Sequence, residues 1–227
     1  MGDFEYNDTD EQNALIGRVQ YFCDLVTKNE QTIGIYEERV YQNLVTAMQN
    51  VLNVAPRQAL DKESVSGTDQ SVSNVRSYTE VVLPEHFLYF LELMMESWSR
   101  EAYKWHDPRS EIVELQYDQY KGRRPTDPVV TKVPAPGEES GEKLRCWPQA
   151  DGPSIETFNY VPEQAPESIG SPLSEPTAMW AASYTLAAAQ YQGSGTMRDA
   201  AVLYLNRLEG GRRMTSEEAI RQAQEEN

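Results

Sequence analysis

Cysteine and histidine are nearly missing from this chain, at two of each in 227 residues. Cys23 and Cys146 lie far apart and neither sits in a close-spaced metal or redox pair, so both read as free thiols of a reducing compartment. His86 and His106 fall near opposite ends of one expected helix, about 30 Å apart at about 1.5 Å per residue, and cannot share a site within one subunit. His106-Asp107 could be half of an acid/base pair, but a histidine at a helix end more often acts as an electrostatic cap.

Long apolar runs are also lacking: none approaches the roughly 18 residues of a membrane span, and the N-terminus is acidic where a signal peptide would be basic and then apolar. No membrane partner and no export by that route are expected. A glycine-rich phosphate loop, a paired-histidine metal motif and a Gly-x-Ser-x-Gly elbow are all missing. No catalytic residue, no cofactor and no metal are therefore expected, and the chain reads as a non-enzyme. The carboxylate pairs Glu37/Glu38, Glu138/Glu139 and Glu217/Glu218 read as solubilising faces, since acid/base work needs convergent side chains with separated pKa values. Basic residues are few: 20 Lys and Arg stand against 36 Asp and Glu, giving −16. Such a field repels phosphates and argues against non-specific nucleic-acid binding.

What is present points to a folded, mixed chain. The 39% apolar share, with 13 Tyr, 4 Trp and 5 Phe, exceeds what a disordered segment carries. Leu15, Ile16, Val19, Phe22, Leu25 and Val26 recur at helical spacing over about Asp10 to Lys28, and Ile33, Tyr36, Val40, Leu44, Met48 and Val51 do so over about Thr32 to Leu52. Arg57 to Ser77 is polar and without apolar period, which predicts a long connection that could serve as a contact arm. Pro84 suits a helix's first turn, and Phe87, Leu88, Leu91, Met94, Met95 and Trp98 predict a central core helix to about Trp105. Glu111 to Tyr120 reads as strand-like, with further extended candidates at Val129 to Val133, Lys143 to Trp147 and Ile155 to Val161. Ten of the 13 prolines lie between Pro125 and Pro176, a density no ordinary helix survives. Helical signals return at Ser174-Glu175-Pro176-Thr177, continue through the Ala-rich stretch to Gln192, resume at Thr196 to Leu208, and end with a capped segment at Thr215-Ser216-Glu217-Glu218.

The expected fold is therefore α+β, mainly α: a helical bundle with an inserted Pro-rich β module and extended arms. Its parts are residues 1–110 and 174–227 as the bundle and 111–173 as the insertion. The basic cluster at Lys121-Gly122-Arg123-Arg124, beside Tyr117 and Tyr120, stands out from the acidic background. It could contact nucleic acid, since aromatics stack on bases, but a protein contact with the acidic surface of a neighbouring subunit fits better. Arg212 and Arg213, with Arg207, could serve likewise. Trp147 and Tyr160, large aromatics on a module with little core of its own, are expected to anchor an interface.

A resemblance enters at Phe158-Asn-Tyr-Val-Pro162, Ser171-Pro-Leu-Ser-Glu-Pro-Thr177, the Ala-rich Met179 to Ala189 and Ala200-Ala-Val-Leu-Tyr-Leu205. The order and character of these segments is similar to the head-to-tail adaptor, or tail-tubular collar ring, proteins of short-tailed bacteriophages. The resemblance covers mostly residues 155 to 210 and implies a role without transferring functional residues. It implies a virion protein at the head-tail junction, assembled in the host cytoplasm. Its partners would be copies of itself in a ring, the portal and tail proteins, and DNA passing through the lumen without specific binding. The alternatives are a capsid- or tail-decorating accessory protein and an enzyme without a recognisable motif.

Overall fold

The computed structural model describes residues 4–27, 36–67, 72–75, 77–118, 122, 124–135, 141–149, 152, 154–191, 193–210 and 214–225. In chain order the elements are α1 (Asp10–Thr27), α2 (Glu37–Val54), β1 (Glu63–Gly67), β2 (Val72–Val75), β3 (Tyr78–Val82), β4 (Phe87–Met95), β5 (Trp105–His106), α3 (Glu111–Gln116), β6 (Val129–Pro134), β7 (Glu142–Trp147), β8 (Ile155–Pro162), α4 (Ser174–Ala188), α5 (Ser194–Glu209) and α6 (Ser216–Glu225). This is a mixed α+β chain. It divides into a helical unit built from both ends, Met1–Asp61 with Gln164–Asn227, and a sheet unit, Lys62–Glu163, inserted between them. No helix among the described residues is long and apolar enough to cross a membrane.

The helical unit forms where apolar residues return every three or four positions. On α1 the buried stripe is Ile16, Val19, Phe22, Cys23 and Val26, and on α2 it includes Val40, Leu44, Met48 and Val51. Helix α4 contacts α1, α2 and α5, and its alanines Ala178, Ala181 and Ala182 are fully buried. Small side chains let neighbouring backbones come close, which an Ala-rich helix hydrophobic on several sides exploits. The buried hydroxyls of Thr177 and Thr185 donate back to the Leu173 and Ala181 carbonyls at 2.8 and 3.0 Å, so neither hydroxyl is left without an acceptor. Gly193, between α4 and α5, is required by space: a Cβ there would stand 2.2 Å from the Val26 side chain.

Polar ties join these helices at their rim. The Arg18 guanidinium of α1 donates twice to Glu175 of α4, at 2.8 and 2.7 Å, and Ser216 of α6 donates to the same carboxylate at 3.0 Å. Helix α6 opens with a reciprocal cap: the Glu218 amide donates to Thr215 Oγ1 and the Thr215 amide to the Glu218 carboxylate, at 3.2 and 3.0 Å.

The sheet unit holds two sheets, one ordered β1-β8-β4 and the other β2-β3-β7-β6-β5. All pairings are antiparallel except β5 with β6. Its core gathers Val81, Phe90, Leu93, Met95, Trp98, Val130, Leu144, Cys146, Ile155, Phe158 and Tyr160. Phe87, Phe90, Trp105, Phe158 and Tyr160 form a connected aromatic group with ring centroids 5.5–6.2 Å apart.

Three expectations are corrected here. The expected core helix from Pro84 to Trp105 is instead strand β4, a turn and strand β5. Its continuous apolar run Phe87-Leu-Tyr-Phe-Leu carries no period of its own, and pairing with β8 decides it. The expected strand at Glu111 to Tyr120 is helix α3. An Asp107 turn launches it, the carboxylate accepting from the Arg109 amide at 2.7 Å and the Asp107 carbonyl from Ser110 Oγ at 2.7 Å. The expected polar connection at 57–77 carries β1 and β2, which lie at the outer edges of the two sheets and are largely exposed. An edge strand held by backbone pairing needs no apolar stripe, so its composition resembles a loop's. Boundaries shift accordingly: residues 62–110 go with the sheets and 164–173 with the helices. The extended candidates at Val129 to Val133, Lys143 to Trp147 and Ile155 to Val161 are strands β6, β7 and β8, paired within the sheets.

Candidate interaction site

The short helix α3 does two opposite things. Val113 turns inward and packs with Val129 and Trp147 in a small separate core, against which Tyr78 also rests. Ile112 and Leu115 turn outward and are 45% and 38% exposed. Tyr117, at the helix end, is half exposed, with its ring edge-on to Trp147 at 5.4 Å. The loop returning past α3 must be glycine at 122, because a Cβ there would lie 2.5 Å from the Leu115 carbonyl oxygen and 2.8 Å from Gln116 Cα, both backbone atoms.

Beside this face opens a pocket of about 500 Å³. Ile112 and Leu115 supply its apolar lip; Lys104, His106, Arg124 and Asp127 supply its polar lining. Lys104 and Arg124 are exposed, and neither side chain is held in an ion pair among the described residues. Ion pairs among the described residues lie elsewhere, as in Lys132 with Glu142 and Arg145 with Glu80. Strand β5 fixes His106 opposite Thr131 of β6, whose hydroxyl donates to the His106 carbonyl at 2.7 Å. Burial, reinforced by Lys104 and opposed by Asp127, holds the His106 pKa below its ordinary value. At neutral pH the pocket thus presents two cations, one carboxylate and a neutral imidazole. Such a site suits an incoming group with an apolar body and negative charge.

The residues singled out from sequence separate in three ways. Tyr117 and Arg124 belong to this site. Trp147 and Tyr160 do not serve as exposed anchors: Trp147 is fully buried and Tyr160 nearly so, the latter donating its hydroxyl to Glu63. The sheet unit has a core after all, and its largest aromatics fill it. Tyr120, Arg123, Arg212 and Arg213 lie outside the described residues. The chain's spacing did not mark Ile112, Leu115, Lys104 or His106 as neighbours. Ile112 and Leu115 sit three apart, the helical signal that a β-rich composition masked.

Other reactive groups are placed differently. Cys23 and Cys146 are both free and buried, and burial raises their thiols above the ordinary range, to about 12 for Cys23. His86 is exposed in the turn before β4, its carbonyl accepting from the Glu163 amide at 2.6 Å. Among the described residues no group of His, Cys, Asp and Glu has metal-holding geometry. No family model matches the chain, and comparison with curated proteins returns no match.

Proposed function

We propose that this chain is a non-enzymatic structural protein of a bacteriophage virion, one subunit of a homo-oligomeric ring that joins the portal to the tail and lines the DNA conduit. In this reading the helical unit is the ring's body and the inserted unit 62–163 reaches a neighbouring molecule. The observation that carries it is the α3 face: Ile112, Leu115 and Tyr117 are exposed, and Lys104 and Arg124, in no ion pair among the described residues, line the pocket beside it on a chain of net charge −16. Exposed apolar area next to cations on an otherwise acidic chain is what a contact between copies uses. The excess of carboxylates serves the conduit, because a negative wall lets DNA phosphates pass without adhering.

Native mass spectrometry and negative-stain imaging of the purified chain, alone and mixed with portal-bearing heads lacking tails, test this. A closed ring, free or seated under the portal, is expected. A chain that stays monomeric in both settings overturns the reading.

A further inference from the structure

The α3 pocket calls for an apolar side chain flanked by carboxylates, and one exposed segment elsewhere on the chain has that chemistry. Tyr36 is 78% exposed, the most exposed large apolar side chain among the described residues. It stands at the start of α2 in extended conformation and makes no capping bond with its side chain. Glu37 and Glu38 follow at once in the first turn of α2 and are exposed. Glu37 accepts from the Tyr6 hydroxyl at 3.1 Å, whereas the Glu38 side chain has no partner among the described residues. Other exposed tyrosines beside carboxylates are already engaged: Tyr21 donates its hydroxyl to Glu217 at 3.0 Å, Tyr103 donates to Glu101 at 3.1 Å and adjoins the pocket's own Lys104, and the Tyr117 ring packs on Trp147.

We propose that the Tyr36–Glu38 knob of one copy seats in the α3 pocket of a second copy, the Tyr36 ring against Ile112 and Leu115 and Glu38 toward Lys104 and Arg124. The inference rests on the ring reading and names its contact. Charge complementarity selects the occupant: among the described residues the pocket's two cations form no ion pair, and Glu38 of the knob meets them on a chain that otherwise repels its copies. A Tyr ring buries roughly 150–250 Å² on docking, a large contribution from one side chain. Knob and pocket are different surfaces, so the contact can repeat head-to-tail from copy to copy, and such contacts close into rings when the rotation permits.

The test is sedimentation velocity of the full chain in a charge-exchange series, with circular dichroism confirming that each variant folds. Lys104→Glu with Arg124→Glu is expected to weaken self-association at least about tenfold, as is Glu38→Lys. Combining the three is expected to recover association to within about threefold of the natural chain, since the pair is restored in reverse. Tyr36→Ala is expected to lose about tenfold while Tyr36→Phe keeps the contact. If the chain assembles but the reversals leave assembly unchanged, or the combined variant is weaker than either parent, the knob-and-pocket contact is wrong while the ring reading stands. A chain that never associates, in solution or on portal-bearing heads, removes both.

Discussion

The Tyr117 ring stands edge-on to the fully buried Trp147 indole, with centroids 5.4 Å apart and planes at 74°. This pair links the exposed α3 face to the interior: the outer ring is half exposed and the inner ring supports it. Trp147→Ala should therefore destabilise the chain by about 3–5 kcal/mol through lost burial and a residual cavity. Tyr117→Ala should cost about 0.5–1.5 kcal/mol, the scale of an aromatic pair. Urea unfolding measures both. Trp147→Phe should cost less than Trp147→Ala, because the phenyl ring refills most of the cavity and, among the described residues, the indole Nε1 has no hydrogen-bond partner to lose.

Ile112→Ser and Leu115→Ser should behave in the opposite way. Both side chains are over a third exposed, so each substitution should leave stability within about 0.5 kcal/mol of the natural chain. Self-association should fall nonetheless, and comparing melting curves with sedimentation separates the two effects. A large loss of stability would mean that these side chains hold α3 in place instead of presenting a free face.

Arg18 and Glu175 form the best-aligned ion pair of the helical unit, two parallel bonds at 2.8 and 2.7 Å. The pair is about one-third exposed, so solvent screens it. Arg18→Ala should cost about 1 kcal/mol, with part of that lost in high salt. The guanidinium also lies over the Phe22 ring at 4.7 Å, and a planar cation suits both contacts. Arg18→Lys should therefore recover only part of the loss in a thermal melt.

His106 supplies a pH signature. Its folded pKa is lowered below the ordinary 6.5, by burial first and then by Lys104, so between those two values the unfolded chain binds the extra proton. Its contribution to stability is fully present above pH 6.5 and declines as the pH falls toward the folded value. His106→Gln should flatten that part of the urea-midpoint profile. An unchanged profile would show that the imidazole titrates as it does in water.

Most helices could be read directly because their apolar residues keep a 3.6-residue period that burial then uses. The stripe Ile16, Val19, Phe22 and Val26 says which face turns inward whatever it meets. Likewise, Thr215 and Glu218 carry their cap within four residues, and the strands β6, β7 and β8 announced themselves by β-favouring runs between prolines. Strand β4 was illegible because Phe87-Leu-Tyr-Phe-Leu is apolar on every side, so a buried helix and a buried strand look the same. The site was harder still: Lys104 with His106, Ile112, and Arg124 come from three stretches and meet only because β5 pairs with β6 and Gly122 lies close against α3.

Charge balance, the scarcity of histidine and cysteine, and the positions of most helices followed from the chain alone, because composition and periodicity are local properties. Tertiary structure decided which residues of the inserted unit are core and which are surface. It buried Trp147 and Tyr160, left Ile112 and Leu115 outside, and turned a polar stretch into edge strands. The burial of Trp147 and Tyr160 and the placing of β1 depend on strand partners distant in sequence, and pairing of that kind leaves no periodic trace in either strand by itself.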